Sequence, residues 1–536
     1  MSKKVKITSL LLCLVMVCSL LAGCGGNKLE YVEIETASAE ELDPAIIGDY
    51  STLELPIDTK GTTINYLCNT DVTTNNDSVV IKELRRRTGI NVQILAVPPS
   101  AYKEKAKVLV ASQDDMPEIL YPSGFTGDEI NDLGRQGAFA NIMDYVDKLP
   151  NFKKIYIDEA EERGLAAALK NLKDTKGNLF IFPTYDINRD VNHGMLYRKD
   201  NFDKHGIDMW HDKDSFLDVL RQLKKIYPNS VPYASKNGLN IFANFGPNWG
   251  LTGFGNFYDE ETGKWGLSCI DPRFKEELDF IKTMYQEGLC DPEFLTATQS
   301  AWTNKMTQRN KSFVTWDWIG RLDMFKEQTA QTVPEYDLRY APPIGGKVVT
   351  LARTSSGPSI KKGPVSEIAL KLCDYLLSDS GAQLISMGIE GVTYNLDENG
   401  KAEYVGFEGK KGVGINELES KYGLFISGVY RRFDRRSTYY NFSEREQEAQ
   451  DMMNNMPGGG YLPEDPVLPF DTEAKDAKNQ YESGIFKAAE EFAVKYILND
   501  SYGEKEWNEW LEKAESLGVS KMIAHYNRLQ EIYDKL

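Results

Sequence analysis

The sequence predicts a two-lobed α/β fold with a helical C-terminal region. From Thr62 onward strand-type and helix-type segments alternate, two extended runs stand close together between residues 179 and 198, and nearly everything after Asp471 has helical texture. Strands alternating with helices of roughly 10–15 residues are the pattern of a parallel sheet covered on both faces. At 536 residues the chain exceeds what one hydrophobic core usually organises, and a hydrophobic share of 41% is ample for two.

The first segment is not part of the fold. Lys3, Lys4 and Lys6 precede the apolar run Ser9 to Leu21, which is too short to span a bilayer, so residues 1–23 read as a secretory signal peptide. The run ends Leu21-Ala22-Gly23-Cys24. That tetrapeptide is similar to the bacterial lipobox, in which the cysteine thiol is acylated and the peptide before it is removed. The similarity implies lipidation at Cys24 and a place on the outer face of the bacterial cytoplasmic membrane, tethered by lipid. An ordinary secreted protein with an incidental cysteine is the alternative. Residues 24–55, with Gly25, Gly26 and the acids Glu30, Glu33, Glu35, Glu40 and Glu41, form a flexible linker.

The folded body begins with a β-type run, Thr62 to Asn69. Ser78 to Thr88 is helical and Gly89 stops it before the strand Ile90 to Val97. Strand, helix, strand is a parallel unit. A helix follows at Tyr102 to Ser112, then a short strand, Glu118 to Tyr121, then a helix from about Gly127. Leu179 to Thr184 and Gly194 to Arg198 read as strands crossing between lobes, and Ser215 to Tyr227 as a helix. Beyond them come the helix Phe274 to Glu287, ended by Gly288, the β-rich run Ser312 to Trp318, the extended Tyr336 to Ala341 and the amphipathic Val365 to Leu377. After Asp471 the helices are expected to break at Gly484, Gly503 and Gly518.

Composition excludes several function classes. A net charge of -18, from 80 acidic and 62 basic residues, repels nucleic acid and anionic head groups. After Cys24 only Cys68, Cys269, Cys290 and Cys373 remain, with no close pairing, which indicates neither a disulfide framework nor a zinc site. His193, His205, His211 and His525 stand in no metal-ligand spacing, and neither a Gly-x-Ser-x-Gly elbow nor a phosphate-cradling loop occurs. No cofactor and no catalytic residue is expected. A lipid-anchored glycoside hydrolase is the enzymatic alternative, since two carboxylates and several tryptophans suffice for that chemistry. A carbohydrate-binding surface protein without a transport role is the other.

Motifs in order along the chain carry a family resemblance. Tyr197-Arg198-Lys199-Asp200 with Phe202 to Ile207, Tyr258 to Trp265, Phe274 to Leu278, Gly288-Leu289-Cys290-Asp291-Pro292-Glu293-Phe294 and Gly388-Ile389-Glu390-Gly391-Val392-Thr393-Tyr394 resemble segments of the extracellular solute-binding lipoproteins of carbohydrate ABC importers. Trp507 to Leu517 with Gly518 resembles their C-terminal helix pair. The resemblance implies a periplasmic-binding-protein-like type II fold of the maltose-binding kind, with a ligand cleft between lobes that close over it. With exchanged segments, lobe 1 comprises 56–187 plus 347–392 and lobe 2 comprises 188–346 plus 393–536. It also implies a monomer that delivers an oligosaccharide to a membrane permease. Relatives often carry a calcium-type loop after the helix corresponding to Ser215 to Tyr227; here Tyr227-Pro228-Asn229-Ser230 offers no carboxylate series, so no metal is expected.

Sugars present apolar C–H faces ringed by hydroxyls, so their sites combine flat aromatics with acids, amides and arginines. Trp316-Asp317-Trp318, ending a strand, has that chemistry. Alternation puts both indoles on one face and the carboxylate on the other, whereas a turn would let all three converge. Simple core packing of one tryptophan is the structural alternative. Trp249, in the loop Asn244 to Gly250, is the next candidate. In the first lobe Asn69 and Asp71 follow the first strand, although Asp71 or residues 74–77 could equally cap the next helix. Arg353 is a candidate donor with a surface ion pair as its alternative. Glu390 stands between glycines that first of all indicate a sharp backbone turn. The cluster Arg431, Arg432, Arg435 and Arg436 leaves acidic sugars open, unless nearby acids pair with it.

Overall fold

The strands that position the site are, in chain order, β1 (Thr63–Asn69), β2 (Asn91–Val97), β3 (Ile119–Leu120), β4 (Thr184–Tyr185), β5 (His193–Arg198), β6 (Val314–Trp318), β7 (Leu338–Tyr340), β8 (Thr354–Ser355) and β9 (Ser359–Ile360). The computed structural model describes residues 32–36, 53–113, 115–187, 191–236, 238–349, 354–410, 413–437, 443–457 and 460–536. The expected signal segment, Cys24, most of the linker and Arg353 lie outside the described residues.

The first sheet has the order β9-β3-β1-β2. β1 runs parallel to β2, from Thr63 opposite Asn91 to Asn69 opposite Val97, and parallel to β3; only β9 is antiparallel. The burial of β1 is nearly continuous, as expected of a strand covered on both faces. Between β1 and β2 lies the helix Val79–Thr88. Ser78 caps its start by accepting from the Ile81 amide, and Gly89 ends it in the left-handed region at φ 70°.

The second sheet, β6-β5-β7, is antiparallel at both pairings. Here the structure corrects the sequence reading of Gly194 to Arg198. It is not a crossing strand but the middle of this sheet, because Met195 and Leu196 are buried in the cores of the second lobe. The crossing falls to β4, where Tyr185 pairs with Thr354 and Thr184 with Ser355. The extended run before β4 forms no longer ladder, since Pro183 has no amide proton to give; the Phe182 amide instead donates to the Pro358 carbonyl at 2.8 Å.

Packing also moves the expected boundary at residue 392. Tyr394, Tyr404, Leu418, Leu424, Ile426 and Phe433 belong to the core that contains Ile64, Tyr66 and Val92. The Tyr66 hydroxyl donates to the Gly428 carbonyl at 2.6 Å, and Glu419 accepts from the Thr70 hydroxyl and the Asn75 amide. The chain thus stays with the first lobe to about Phe433, held by buried apolar side chains that composition alone does not assign to a lobe. From Ala449 onward the buried side chains belong to the second lobe.

Three helices close the chain, Thr472–Leu498, Glu504–Ser516 and Val519–Tyr533. Gly503 and Gly518 separate them as expected. Gly484 does not break the first helix: an added Cβ there would meet nothing within 4 Å. The cost of about 1 kcal/mol for a helical glycine is outweighed where Ile485, Ala488 and Ala489 bury the neighbouring turns. These helices and the segment leading into them also touch the first lobe. Lys475 Nζ lies 3.0 Å from Asp132 Oδ2, and Asn171 Oδ1 accepts from the Val467 amide at 3.1 Å and the Tyr533 hydroxyl at 2.8 Å.

Candidate functional site

Eight tryptophans occur in the chain. Six of them, Trp210, Trp249, Trp265, Trp302, Trp507 and Trp510, are buried. The two that remain half-buried are Trp316 and Trp318, at alternate positions near the carboxyl end of β6. Strand alternation holds to the last residue, so both indoles lie on one face and Thr315 and Asp317 are buried on the other. In the ladder Trp318 stands opposite His193 and Trp316 opposite Met195. The His193 imidazole stacks on the Trp316 indole, with ring centroids 5.1 Å apart and planes inclined by 16°. Trp318 lies against Gly320; a Cβ at that position would stand 2.4 Å from its ring, so the glycine gives the indole its seat.

The opposite face is fixed by charge and hydrogen bonds. Asp317 Oδ2 meets Lys236 Nζ at 2.6 Å and Arg321 Nε at 3.6 Å, while Oδ1 accepts from the Trp318 amide at 2.7 Å. Thr315 Oγ1 accepts from Trp302 Nε1 at 2.8 Å and donates to the Ala234 carbonyl at 2.7 Å. Lys236 Nζ also sits 4.2 Å over the Trp302 ring. The expectation of Asp317 as a ligand contact is therefore corrected. No turn brings the three side chains together, and the carboxylate, 4% exposed, is engaged in an ion pair beneath the strand.

Trp249 is corrected as well. It is a core residue, edge-on to Phe280 at 5.3 Å, with Lys213 Nζ 4.5 Å from its ring. Its loop forms the short helical turn Gly246–Trp249, which folds the indole inward. At the carboxyl ends of β1 and β3, Asn69 Nδ2 donates to Ser123 Oγ at 2.8 Å and the buried Asn69 Oδ1 has no partner among the described residues. Asp71 is exposed and does not cap the following helix, because Ser78 does. Glu390 is exposed on a turn whose flanking Gly388 and Gly391 have φ of 89° and 77°. A Cβ on Gly388 would stand 2.3 Å from Thr393 Oγ1, so the turn itself dictates that glycine. Arg353 lies outside the described residues.

The arginine cluster is occupied. Arg432 pairs with Asp379, Arg435 with Asp186 and Arg436 with Asp434, while Arg431 is fully buried and donates to the carbonyls of Gly428 and Val429. Among the described residues no three His, Cys, Asp or Glu side chains gather as metal ligands. The turn 227–230 faces ammonium groups instead, with Lys224 donating to the Ser230 carbonyl at 2.8 Å and Lys311 to the Asn229 carbonyl at 3.2 Å.

His193 was the residue that sequence reasoning passed over. A lone histidine at the edge of an extended run carries no pattern of its own; only the β5–β6 register reveals its stack. Burial holds its pKa below the ordinary histidine value, with Asp317 opposing and Lys236 reinforcing that shift.

Residues 73–383 match the family of bacterial extracellular solute-binding proteins. The chain belongs to that family. Solute-binding proteins of this kind capture ligands and are not enzymes. The lipoprotein LipO of Bacillus subtilis (strain 168) is 25% identical over 248 residues, 44% of this chain and 45% of LipO. The polygalacturonan/rhamnogalacturonan-binding protein YtcQ of the same strain is 19% identical over 333 residues, 60% of this chain and 64% of YtcQ. The chain thus spans less than two thirds of either curated relative. Among solved structures, an extracellular solute-binding protein from Bifidobacterium longum subsp. infantis is 16% identical with a TM-score of 0.66, covering 88% of this solute-binding protein and 98% of that one. The alginate-binding protein AlgQ2, solved without calcium ion, is 20% identical with a TM-score of 0.62, covering 91% and 100%. These likenesses establish the two-lobed fold. Among the described residues no helix is long and apolar enough to cross a membrane.

Proposed function

We propose that this solute-binding protein is a monomeric, lipid-anchored receptor that captures an oligosaccharide between its lobes and delivers it to the permease of an ABC importer. The observation that carries the reading is the placement of Trp316 and Trp318. Every other tryptophan is buried, and these two half-buried indoles leave the same face of a strand near its carboxyl end, Trp316 with His193 stacked against it, which supports a place there for a sugar ring. Asn69 and Asp71, at the carboxyl end of β1, are the proposed first-lobe contacts. Cys24 is the proposed site of acylation, with residues 24–55 holding the body off the membrane.

The ligand class is supported by the names of relatives, one a binder of polygalacturonan and rhamnogalacturonan and another of alginate. Neutral and weakly acidic oligosaccharides both fit. Within the arginine cluster, Arg432, Arg435 and Arg436 are already paired with carboxylates, which favours a ligand of low charge density there. A calorimetric screen of the purified protein against plant-wall, starch-derived and host glycans, with product analysis of each mixture, tests the reading. Stoichiometric binding without turnover is expected. Binding to peptides alone, or release of product sugars, would overturn it.

A further inference from the structure

The imidazole of His193 is fixed at both faces of its chemistry. Its ring is stacked on Trp316, and its Nδ1 lies 3.0 Å from Asn192 Nδ2. An amide nitrogen only donates, so Nδ1 accepts and the neutral ring carries its proton on Nε2. Asn192 and its neighbour are themselves held. The Asn192 carbonyl accepts from the Ile319 amide at 2.9 Å, and Val191 exchanges two hydrogen bonds with Gln450, at 2.9 Å from its amide and 2.8 Å to its carbonyl. Nε2 has no partner among the described residues and is not among the buried polar atoms that lack one, so it faces solvent beside the tryptophan pair. The charged groups nearby are Asp317 on β6 and Lys236 on the loop behind it, with Arg321 at the start of the next helix closing on the same carboxylate.

We propose that His193 is a ligand-orienting residue that presents a single Nε2–H donor to an oxygen of a sugar ring resting beside the imidazole along the Trp316–Trp318 face, and so sets which hydroxyl or ring oxygen must point toward β5. This rests on the oligosaccharide reading above. Stacking alone accepts any ring with an apolar face; one donor in a fixed place distinguishes epimers, because a ring that cannot meet it leaves the donor unpaired. Burial disfavours the charged ring, and the hydrogen bond as placed acts in the same direction. Protonation would place a second N–H against the Asn192 amide nitrogen, donor against donor.

Two measurements test this, and they fail separately. In the ligand-free protein, nitrogen-15 NMR of the imidazole should show the Nε2–H tautomer, still neutral at a pH where an ordinary histidine is half charged; the Nδ1–H tautomer or ordinary titration would overturn the proposal. Calorimetry with oligogalacturonides, alginate oligomers and neutral gluco- and fructo-oligosaccharides then compares His193→Phe, which keeps a flat ring over Trp316, with His193→Gln, which keeps an N–H. Loss of about tenfold in affinity is expected for His193→Phe, the worth of one hydrogen bond, and a smaller loss for His193→Gln. Equal affinity of His193→Phe and wild type would overturn the proposal while leaving the oligosaccharide reading intact. A wild type that binds none of these glycans would overturn both, even with the tautomer as expected.

Discussion

Lys236 Nζ lies 2.6 Å from Asp317 Oδ2 on the face of β6 that turns away from Trp316 and Trp318. The inner face of β6 is thus held by an ion pair, while its outer face carries the two half-buried indoles. Asp317→Ala leaves Lys236 and Arg321 without their carboxylate at a site where the aspartate side chain is 5% and Lys236 12% exposed. Breaking a buried pair from one side costs about 3–5 kcal/mol, and denaturant unfolding should show a loss of that order. Removing both partners as Asp317→Asn with Lys236→Met should cost less than the single change. If Asp317→Ala instead weakens sugar binding with stability unchanged, the carboxylate belongs to the site after all.

Trp249 and Trp316 should separate in the same way. Trp249→Ala removes a buried ring packed on Phe280 and should cost about 3–5 kcal/mol of stability, measured by denaturant titration. A variant that unfolds like wild type but binds ligand poorly would restore Trp249 to the cleft.

Glu277 gives a pH signature. It is fully buried on the helix Pro272–Gln286, neither carboxyl oxygen has a partner among the described residues, and burial alone raises its pKa well above the ordinary value of 4.5. In the folded state it binds its proton more tightly than in the unfolded state, so stability falls as pH rises above the unfolded value and continues to fall until the folded group ionises. Glu277→Gln should flatten that slope. Glu277→Met, which removes both unpaired oxygens, should stabilise the protein at neutral pH by about 1–3 kcal/mol. Melting curves from pH 4 to 8 decide it; a destabilised Glu277→Met would mean that the carboxyl has a partner.

Lipid attachment is tested in cells. Labelling with a radioactive fatty acid should mark the wild type and not Cys24→Ala. Equal labelling would remove the tether from the account.

Much of the fold was legible because local signals and packing agreed. Ser78 and Gly89 bracket a helix in the sequence and do so in the structure. Period-two alternation placed Trp316 and Trp318 on one face and Asp317 on the other. What sequence could not give were the choices made by tertiary contacts. Gly484 reads as a break, yet sits within a helix whose neighbouring residues are buried. Residues 394–433 carry no mark of the lobe they join, since any sufficiently apolar segment fits either core. Trp249 stands in a Gly- and Pro-containing segment that reads as an open loop, whereas the turn Gly246–Trp249 folds its indole into the core. His193 became visible only through the register that sets it beside β6.

The central claim is that a sugar rests on the half-buried tryptophans of β6. The direct measurement is calorimetric affinity of the wild type, Trp316→Ala and Trp318→Ala for the same oligosaccharide, with ligand-free melting recorded alongside. Each variant should lose about 1–2 kcal/mol of binding, the worth of a stacked ring, while its unfolding free energy falls far less than that of Trp249→Ala. Variants that bind the sugar as tightly as wild type while melting several degrees early would make these indoles packing residues and contradict the account.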